Sequence, residues 1–476
     1  MASSRPSTAE PQHVLILAAG HGKRLKSSRI KLLHEVAGRP MVDYVLAAAR
    51  RVGTGRRVVV LGHQADAVRQ RLTGYGFRTV LQKQQLGTGH AVLQAAPLLA
   101  RAGGSVLVLN GDLPGLHAAT LQRFVSAHRR SGAGASLMTA EVADPTGYGR
   151  VLRDGDGRFQ RIVEHVDASA AEREVREINA GIYCFSTGPL FRLLKRLRPR
   201  NRQKELYLPD VLALMCEEGL DVRAVIHLDA WEILGVNSRR DLAEASRLLN
   251  ARRLETLMAS GVTALDPDTI RVGPDVRIGR DVILSAGVHI EGATTIGRGT
   301  TVGPGCVLRD CRIGRDVTLL PYTVAAESIV GDGSRIGPFA HLRPGTVLAR
   351  GVHVGNYVEV KKSSLGRGSK ANHLSYLGDA VIGRGVNVGA GTITCNYDGE
   401  RKHVTVIEDR AFIGSDTQLI APVTIGRGAY VGTGTTVREA VPPGALAVSA
   451  GRQRNIEGWV AARKKRNAAP AKRAGG

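Results

Sequence analysis

A short aliphatic run, His13-Val14-Leu15-Ile16-Leu17, ends in Ala18-Ala19-Gly20-His21-Gly22-Lys23-Arg24. Glycines in such a loop let the backbone approach a phosphate, and the basic side chains neutralise its charge. The G-x-x-x-x-G-K-[ST] spacing is absent, so this is not a Walker loop. Alone, the loop fits a plain turn equally well. Its company points to an anionic ligand: Lys31 in Lys31-Leu32-Leu33-His34, the block Gln82-Lys83-Gln84-Gln85-Leu86-Gly87-Thr88-Gly89-His90-Ala91, and Asn110-Gly111-Asp112 after another aliphatic run. A second set lies far along the chain, around His373 in Lys370-Ala371-Asn372-His373-Leu374-Ser375-Tyr376. An imidazole titrating near neutrality can take a proton from a reacting group.

The elements that carry the first set read as α/β. Residues 13–237 alternate apolar runs, such as Arg57-Val58-Val59-Val60-Leu61 and Ser105-Val106-Leu107-Val108-Leu109, with amphipathic stretches near residues 41–52 and 89–100. Continuous aliphatic strands between helices predict a mostly parallel sheet covered on both faces. Such sheets bind ligands at the carboxyl ends of their strands. Residues 238–260 read as a connecting helix, with Leu242, Ala245, Leu248, Leu249 and Leu257 as its apolar positions. Ser238 suits its cap and Gly261 its end.

The second set sits in a different texture, over residues 261–450. Aliphatic residues recur every six positions at Val272, Ile278, Leu284, Ile290, Ile296, Val302 and Leu308. After a break they return at Val330, Ile336, Leu342, Leu348, Val354 and Val360, and again at Ile407, Ile413, Leu419, Ile425, Val431 and Val437. A short period held this long predicts a β-solenoid.

Composition limits the alternatives. A chain of 476 residues predicts more than one core, and 4% aromatic content makes those cores aliphatic. The net charge of +24 fits either phosphorylated anionic substrates or nucleic acid. Part of it lies in a basic tail, residues 451–476, expected to be solvated. A single aromatic residue, Trp459, lies among the tail's charges from Arg452 to Arg473, fewer than single-strand binding would favour, so no nucleic-acid partner is expected. Five unpaired-looking cysteines predict neither a disulfide framework nor a zinc site. Residues 1–12, expected to be a disordered tail, lack a signal peptide's apolar run, and no stretch suits a membrane span. A cytoplasmic protein is expected.

The block from Gln82 to Ala91, with Tyr148-Gly149-Arg150-Val151, Ile162-Val163-Glu164, Glu177-Ile178-Asn179-Ala180-Gly181 and Gly235-Val236-Asn237, resembles the uridylyltransferase half of the bifunctional N-acetylglucosamine-1-phosphate uridylyltransferase / glucosamine-1-phosphate acetyltransferase family. His341-Leu342-Arg343-Pro344-Gly345, the block around His373, and the segments from Asn387 to Gly399 and Gly414 to Gln418 are similar to its acetyltransferase half. The resemblance implies an α/β Rossmann-like nucleotidyltransferase domain followed by a left-handed parallel β-helix that forms homotrimers. It implies acetylation of glucosamine-1-phosphate by acetyl-CoA, then uridylyl transfer from UTP. Lys31 and Arg24 then hold phosphates as catalytic residues, and Asp112 and Asn237 are Mg²⁺ ligands, a role that suits hard oxygen donors. Leu17, Ala18, Ala19, Gly20, Gln82, Gly87, Thr88, Asn110 and Gly111 face the nucleotide, and Gly149, Glu164 and Asn179 the amino sugar. In the second half the resemblance makes His373 the catalytic base. Arg343, Lys361, Tyr376 and Asn387 bind the sugar phosphate, and Ala390, Asn396, Tyr397, Ser415 and Thr433 bind acetyl-CoA. The sequence departs from the family at Lys23, Ile30, Asn110, Ala180, Thr433 and Ala450. At the last of these the family has a cofactor-binding arginine, for which Arg452 or Arg454 is the expected substitute.

Overall fold

The computed structural model describes residues 10–20, 22–62, 65–449 and 455–468. Ala450, Arg452 and Arg454 lie outside the described residues, as do His21 and the side chain of Lys23. The chain divides into two compact units, one reaching Thr256 and including Arg271–Pro274, the other made of Leu257–Ile270 and the chain from Asp275.

The first unit is built on one twisted sheet. Its strands in chain order are β1 (Gln12–Ala18), β2 (Arg57–Leu61), β3 (Arg78–Leu81), β4 (Ser105–Asn110), β5 (Ala135–Glu141), β6 (Arg150–Arg153), β7 (Phe159–Val163), β8 (Glu177–Ser186) and β9 (Val222–Ile226). The main path runs β9-β5-β8-β4-β1-β2-β3. The sheet is parallel from β4 to β3 and between β9 and β5, but β8 runs antiparallel to both its neighbours, a reversal the apolar pattern does not reveal. Gln12 is buried inside β1, so the ordered core begins one residue before the boundary expected from sequence. Alternate residues of each strand enter opposite cores. Val14, Ile16, Val59, Leu107 and Leu109 pack on one face with the helices Met41–Arg50 and Ala118–Ser131. Leu15, Val58, Val60, Val106 and Val108 pack on the other with Thr187–Leu194 and Asp210–Glu217. Burial on both faces is why the strands read as unbroken aliphatic runs.

Chain order places a topological switch between β1 and β4. Their carboxyl ends lie side by side, with Leu17 opposite Asn110, so the glycine loop and Asn110-Gly111-Asp112 leave the sheet together. The long helix Arg239–Ala259 begins at Ser238, whose Oγ accepts from Asp241 N at 3.2 Å. It packs Ala245 and Leu242 against Val36, Met41 and Val236 of the first unit, and its last turn runs into the second.

The second unit is a left-handed β-helix of short strands in three parallel sheets. Registers such as Arg277 with Thr295 and Arg335 with His353 set one coil at 18 residues, three hexads. The aliphatic residue of each hexad points inward: of those named from sequence, all but Ile278 are buried. The break after Leu308 is a shortened corner. There Arg309-Asp310-Cys311 turns with Asp310 at φ +51°, and Ile313 takes the inward place five residues on. Glu327, Lys362 and Asp379 make the same corner in later coils. One coil departs further. Val381 pairs with Val406, 25 residues on, because residues 396–404 leave the solenoid as a loop. Near the end of the chain, part of the basic tail forms a helix, Trp459–Ala468, whose described side chains are exposed.

The five cysteines form no disulfide. Burial pushes the Cys184 thiol up to about 12, so it is a core residue and not a nucleophile.

Candidate active sites

In the first unit a cavity of about 520 Å³ opens at the carboxyl ends of β1 and β4. It is lined by Leu17, Ala18, Ala19, Gly20, Arg24, Lys31, Gln82, Gly87, Thr88, Asn110, Gly111 and Asp112, every residue the sequence assigned to the nucleotide apart from those on the sugar side. A second hollow, about 320 Å³, holds Gly149, Glu164, Asn179 and Asn237. The two share Leu17, Arg24, Thr88, Asn110 and Asp112, so they form one cleft with Asp112 at the junction.

At that junction charge is organised around oxygen atoms. The Lys31 ammonium is ion-paired with Asp112, and Lys31 Nζ also donates to Asn237 Oδ1 at 2.8 Å. Arg24 Nη2 donates to the same oxygen at 2.8 Å. The Asn237 amide is oriented for this: its Nδ2 donates to Gly235 O at 3.2 Å, and its backbone N–H is held by Asp241 Oδ2 at 2.8 Å. Gly235 lies close against the Asp112 carboxylate, and a Cβ at this position would press on it at 3.2 Å. Gly87 is likewise fixed, at φ +102° with Leu206 O only 2.5 Å from where a Cβ would stand.

The sugar side is more enclosed. Burial, with Asp167 and Asp210 nearby, raises the Glu164 carboxyl above its ordinary range, and burial brings Asp210 to about 6. Asn179 is committed to the fold at both ends, its Nδ2 donating to Tyr183 Oη at 2.6 Å and its Oδ1 accepting from Gly181 N at 3.1 Å. Arg150, 1% exposed, spends its guanidinium on the Tyr148 and Arg173 carbonyls and on His165. It braces the start of β6, next to Gly149.

The second unit arranges its residues along its corners. Asn356 pairs with His373, and continuing the registers of Val388 with Ile413 and Ile413 with Val431 brings Ala390, Ser415 and Thr433 onto the same corner, one per coil. Adjacent coils are about 4.8 Å apart. His373 Nδ1 lies 3.1 Å from Asn356 Oδ1. An accepting oxygen there puts the ring proton on Nδ1 and leaves the Nε2 lone pair free in the neutral ring. Asn356 was not named from sequence; its signal is the one-coil offset of 17 residues from His373.

Arg343 and Lys361 stand on the next corner, with Tyr376 on the sheet between the two corners. Arg343 Nη1 donates to Glu359 Oε1 at 2.7 Å. The Lys361 ammonium is held below its ordinary range by Lys402 first, with Arg343 adding to the effect. Lys402, missed from sequence because it lies in the excursion 396–404, thus completes a group of three cations. That loop is tied by Asp398, which accepts from Glu400 N, Arg401 N and His403 Nε2 at 2.8, 2.7 and 2.6 Å. Tyr397 on it is exposed, whereas Asn396 is buried and donates to Asp379. Asn387 belongs to the sheet of His373, around the corner from Tyr376. The first unit therefore gathers its residues in one cleft; the second displays them on two faces.

Residues 13–251 match the nucleotidyl transferase family, residues 272–365 the GMPPB C-terminal domain, and residues 405–439 the bacterial transferase hexapeptide family. The chain is 49% identical over 453 residues to the bifunctional protein GlmU of Pelobacter propionicus, covering 95% of this chain and 98% of that one. It is 49% identical to the proteins of the same name from Trichlorobacter lovleyi and Aromatoleum aromaticum, in each case over 94% of this chain and 97% of the relative.

Proposed function

Because the chain belongs to the bifunctional GlmU family, it is a two-activity transferase making UDP-N-acetylglucosamine, and we propose that the two clusters described above are its two reaction centres. Glucosamine-1-phosphate is acetylated first, and its product then accepts a uridylyl group.

In the first cleft the oxygen of the sugar phosphate attacks the α-phosphorus of UTP, and pyrophosphate leaves. Such a reaction needs positioning and charge neutralisation more than covalent help from the protein. The loop from Leu17 to Gly20 cradles the nucleotide, Arg24 and Lys31 neutralise phosphate charge, and Gly149, Glu164 and Asn179 hold the amino sugar. The observation that carries this reading is Lys31, whose ammonium spans Asp112 and Asn237. A cation already sits between two hard oxygen donors, so the pair suits Mg²⁺, with substrate phosphates and water completing its shell. Asp112 and Asn237 would hold that ion, which supplies Lewis-acid stabilisation of phosphate charge when bound.

In the second unit His373 Nε2 takes the proton from the sugar ammonium, the freed amine attacks the thioester carbonyl of acetyl-CoA, and the CoA thiol leaves. Arg343, Lys361 and Lys402 hold the sugar phosphate; Tyr376 and Asn387 hold the sugar. Ala390, Asn396, Tyr397, Ser415 and Thr433 serve acetyl-CoA. The division of these residues between two faces favours a homotrimer, in which a neighbouring copy closes the site. A column of exposed rings supports it: Tyr322, Phe339 and Tyr357 stack at 5.2 and 5.4 Å on the corner that leads to Leu374. Among the described residues no helix is long and apolar enough to cross a membrane. Reliance on UTP and acetyl-CoA supports a reaction in the cytoplasm.

The test is purified protein with glucosamine-1-phosphate, acetyl-CoA, UTP and Mg²⁺, each omitted in turn, following thiol and pyrophosphate separately. Thiol release without UTP, with pyrophosphate release dependent on acetylation, is the expected result. Pyrophosphate release from pre-acetylated sugar phosphate with no thiol release under any condition sinks the assignment of the second centre.

A further inference from the structure

The third corner of the solenoid, between the sheet of Ile278 and that of Ile283, carries neither group assigned to acetyl transfer. The registers that run from Ile278 with Ile296 to Ile407 with Ile425 put the residue two positions on at one point of successive coils. That residue is Arg280, Arg298 and Arg315, then Asp332, then Arg350, Arg367 and Arg384, then Asp409, and last Arg427. The backbone holds the row straight: Gly368 N donates to Arg350 O at 3.2 Å, Gly385 N to Arg367 O at 2.9 Å and Arg410 N to Arg384 O at 2.8 Å. At ~4.8 Å per coil the row is ~38 Å long. Its arginines are all exposed, and among the described residues none is ion-paired.

The turn does not call for arginine. Asp332 and Asp409 fill the same place, and each accepts a backbone N–H from the coil before: Arg315 N donates to Asp332 Oδ1 at 2.7 Å and Arg384 N to Asp409 Oδ1 at 2.8 Å. Like charges stacked one coil apart repel, so stability does not favour the row either. Its most basic stretch is Arg350 to Arg384. Gly351, Gly368 and Gly385 follow these three arginines, whereas Asp281 and Asp316 follow Arg280 and Arg315. Lys370 is a further exposed cation on one flank. On the other flank, Ile329, Val347 and Val381 stand exposed on the sheet that leads into the ridge.

We infer that this ridge docks on an anionic lipid bilayer, with its guanidinium groups on lipid phosphates and its flanking aliphatic side chains among the headgroups. Guanidinium pairs with phosphate through two parallel N–H bonds. A convex ridge meets a plane along its whole length, and the bilayer offers both complements, phosphate outside and hydrocarbon beneath. Other polyanions fit less well. The strands of a nucleic-acid duplex wind away from a straight row within each turn of ~34 Å. No Phe, Tyr or Trp flanks the stretch from Arg350 to Arg384 to stack single-stranded bases. A second copy of the row would be repelled by the first.

The experiment sediments the full chain with vesicles of phosphatidylcholine, alone or mixed with phosphatidylglycerol. The wild type is expected to bind the mixed vesicles only, and rising salt to release it. Each basic residue near an anionic surface strengthens binding ~5-fold, so Arg350→Gln/Arg367→Gln/Arg384→Gln is expected to bind ~10²-fold more weakly. Arg101→Gln/Arg130→Gln/Lys195→Gln makes the same change of net charge at exposed sites of the first unit and is expected to bind as the wild type does. That comparison separates the ridge from the pull of the overall charge of +24. Thiol release is expected to stay at the wild-type rate in both variants, which checks their folding. Failure of the wild type to bind the mixed vesicles overturns the inference, as does equal weakening in the two variants. If single-stranded RNA or polyphosphate binds through the same three arginines while vesicles do not, the ridge serves a soluble polyanion and the bilayer reading falls.

Discussion

The first unit brings groups from β1, β4, the loop after β7 and the start of a distant helix into a single cleft, whereas the second repeats one coil and sets its groups at equivalent points along two corners. The α/β sheet builds an enclosed site by convergence, at the price that no stretch of sequence contains it. The solenoid builds an open one by translation, so its residues fall into order along the chain but remain on the surface. The difference teaches that an enclosed site can work within one copy, while a displayed site calls for something to close it.

The contrast can be broken at its strongest point by removing the base. His373→Ala is expected to lower thiol release by ~10²–10⁴-fold, the usual contribution of general base catalysis, while pyrophosphate release from N-acetylglucosamine-1-phosphate stays at the wild-type rate. The mirror experiment is Asp112→Ala, which leaves Lys31 without its carboxylate partner. Pyrophosphate release should fall by ~10²–10³-fold with thiol release untouched. A loss of both activities in either variant would mean that the two centres are not independent.

The next test bears on closure. Phe339→Glu places a carboxylate within the ring column. At protomer concentrations where the wild type sediments as the proposed trimer, the variant is expected to sediment as a smaller species and to lose acetyl transfer by at least ~10-fold, with uridylyl transfer retained. Full acetyl transfer by a sedimenting monomer would show that one copy completes the displayed site.

The smallest effect concerns enclosure itself. Burial beside the first cleft, at the start of the helix Asp210–Glu217, lifts Asp210 to about 6, with Asp167 adding to the shift. Its folded state therefore binds a proton more tightly than the unfolded chain, whose carboxyl titrates near ~4. The stability that goes with this proton is present below ~4 and lost as pH rises through 6. Asp210→Asn should accordingly raise the unfolding midpoint of the first unit by ~2–4 °C at pH 7.5 and leave it unchanged at pH 4. An equal gain at both values would point to a cause other than titration.

Much of this was legible in the sequence, but unequally. The inward column of the solenoid could be read because one coil is three hexads, and a residue's place on the coil is fixed by counting. The five-residue corners at Asp310, Glu327, Lys362 and Asp379 were read only as a break, because a one-residue deletion hides the period without ending it. Asn356 and Lys402 escaped for opposite reasons. Asn356 keeps the period but has no distinctive neighbours in the chain, and Lys402 lies in the one loop that abandons it. In the first unit the glycine loop and Asn110-Gly111-Asp112 stood out as loops after aliphatic runs. The antiparallel run of β8 did not, since a strand buried on both faces has the same apolar pattern in either direction.

By itself the sequence determined that the aliphatic runs at 13–17, 57–61 and 105–109 are strands, where the glycine loop falls and that a solenoid follows an α/β unit. Each of these depends on residues at fixed, short spacing, so local backbone geometry and side-chain alternation suffice to encode them. Only the tertiary structure decided that Lys31 spans Asp112 and Asn237, that Gly87 O holds the amide of Gln82, and that Asn356 lies against His373 Nδ1. Those are contacts of a few ångströms between atoms whose positions depend on sheet order and coil register. Charge, hydrogen bonding and proton position respond to distance in space, and distance along the chain does not fix it.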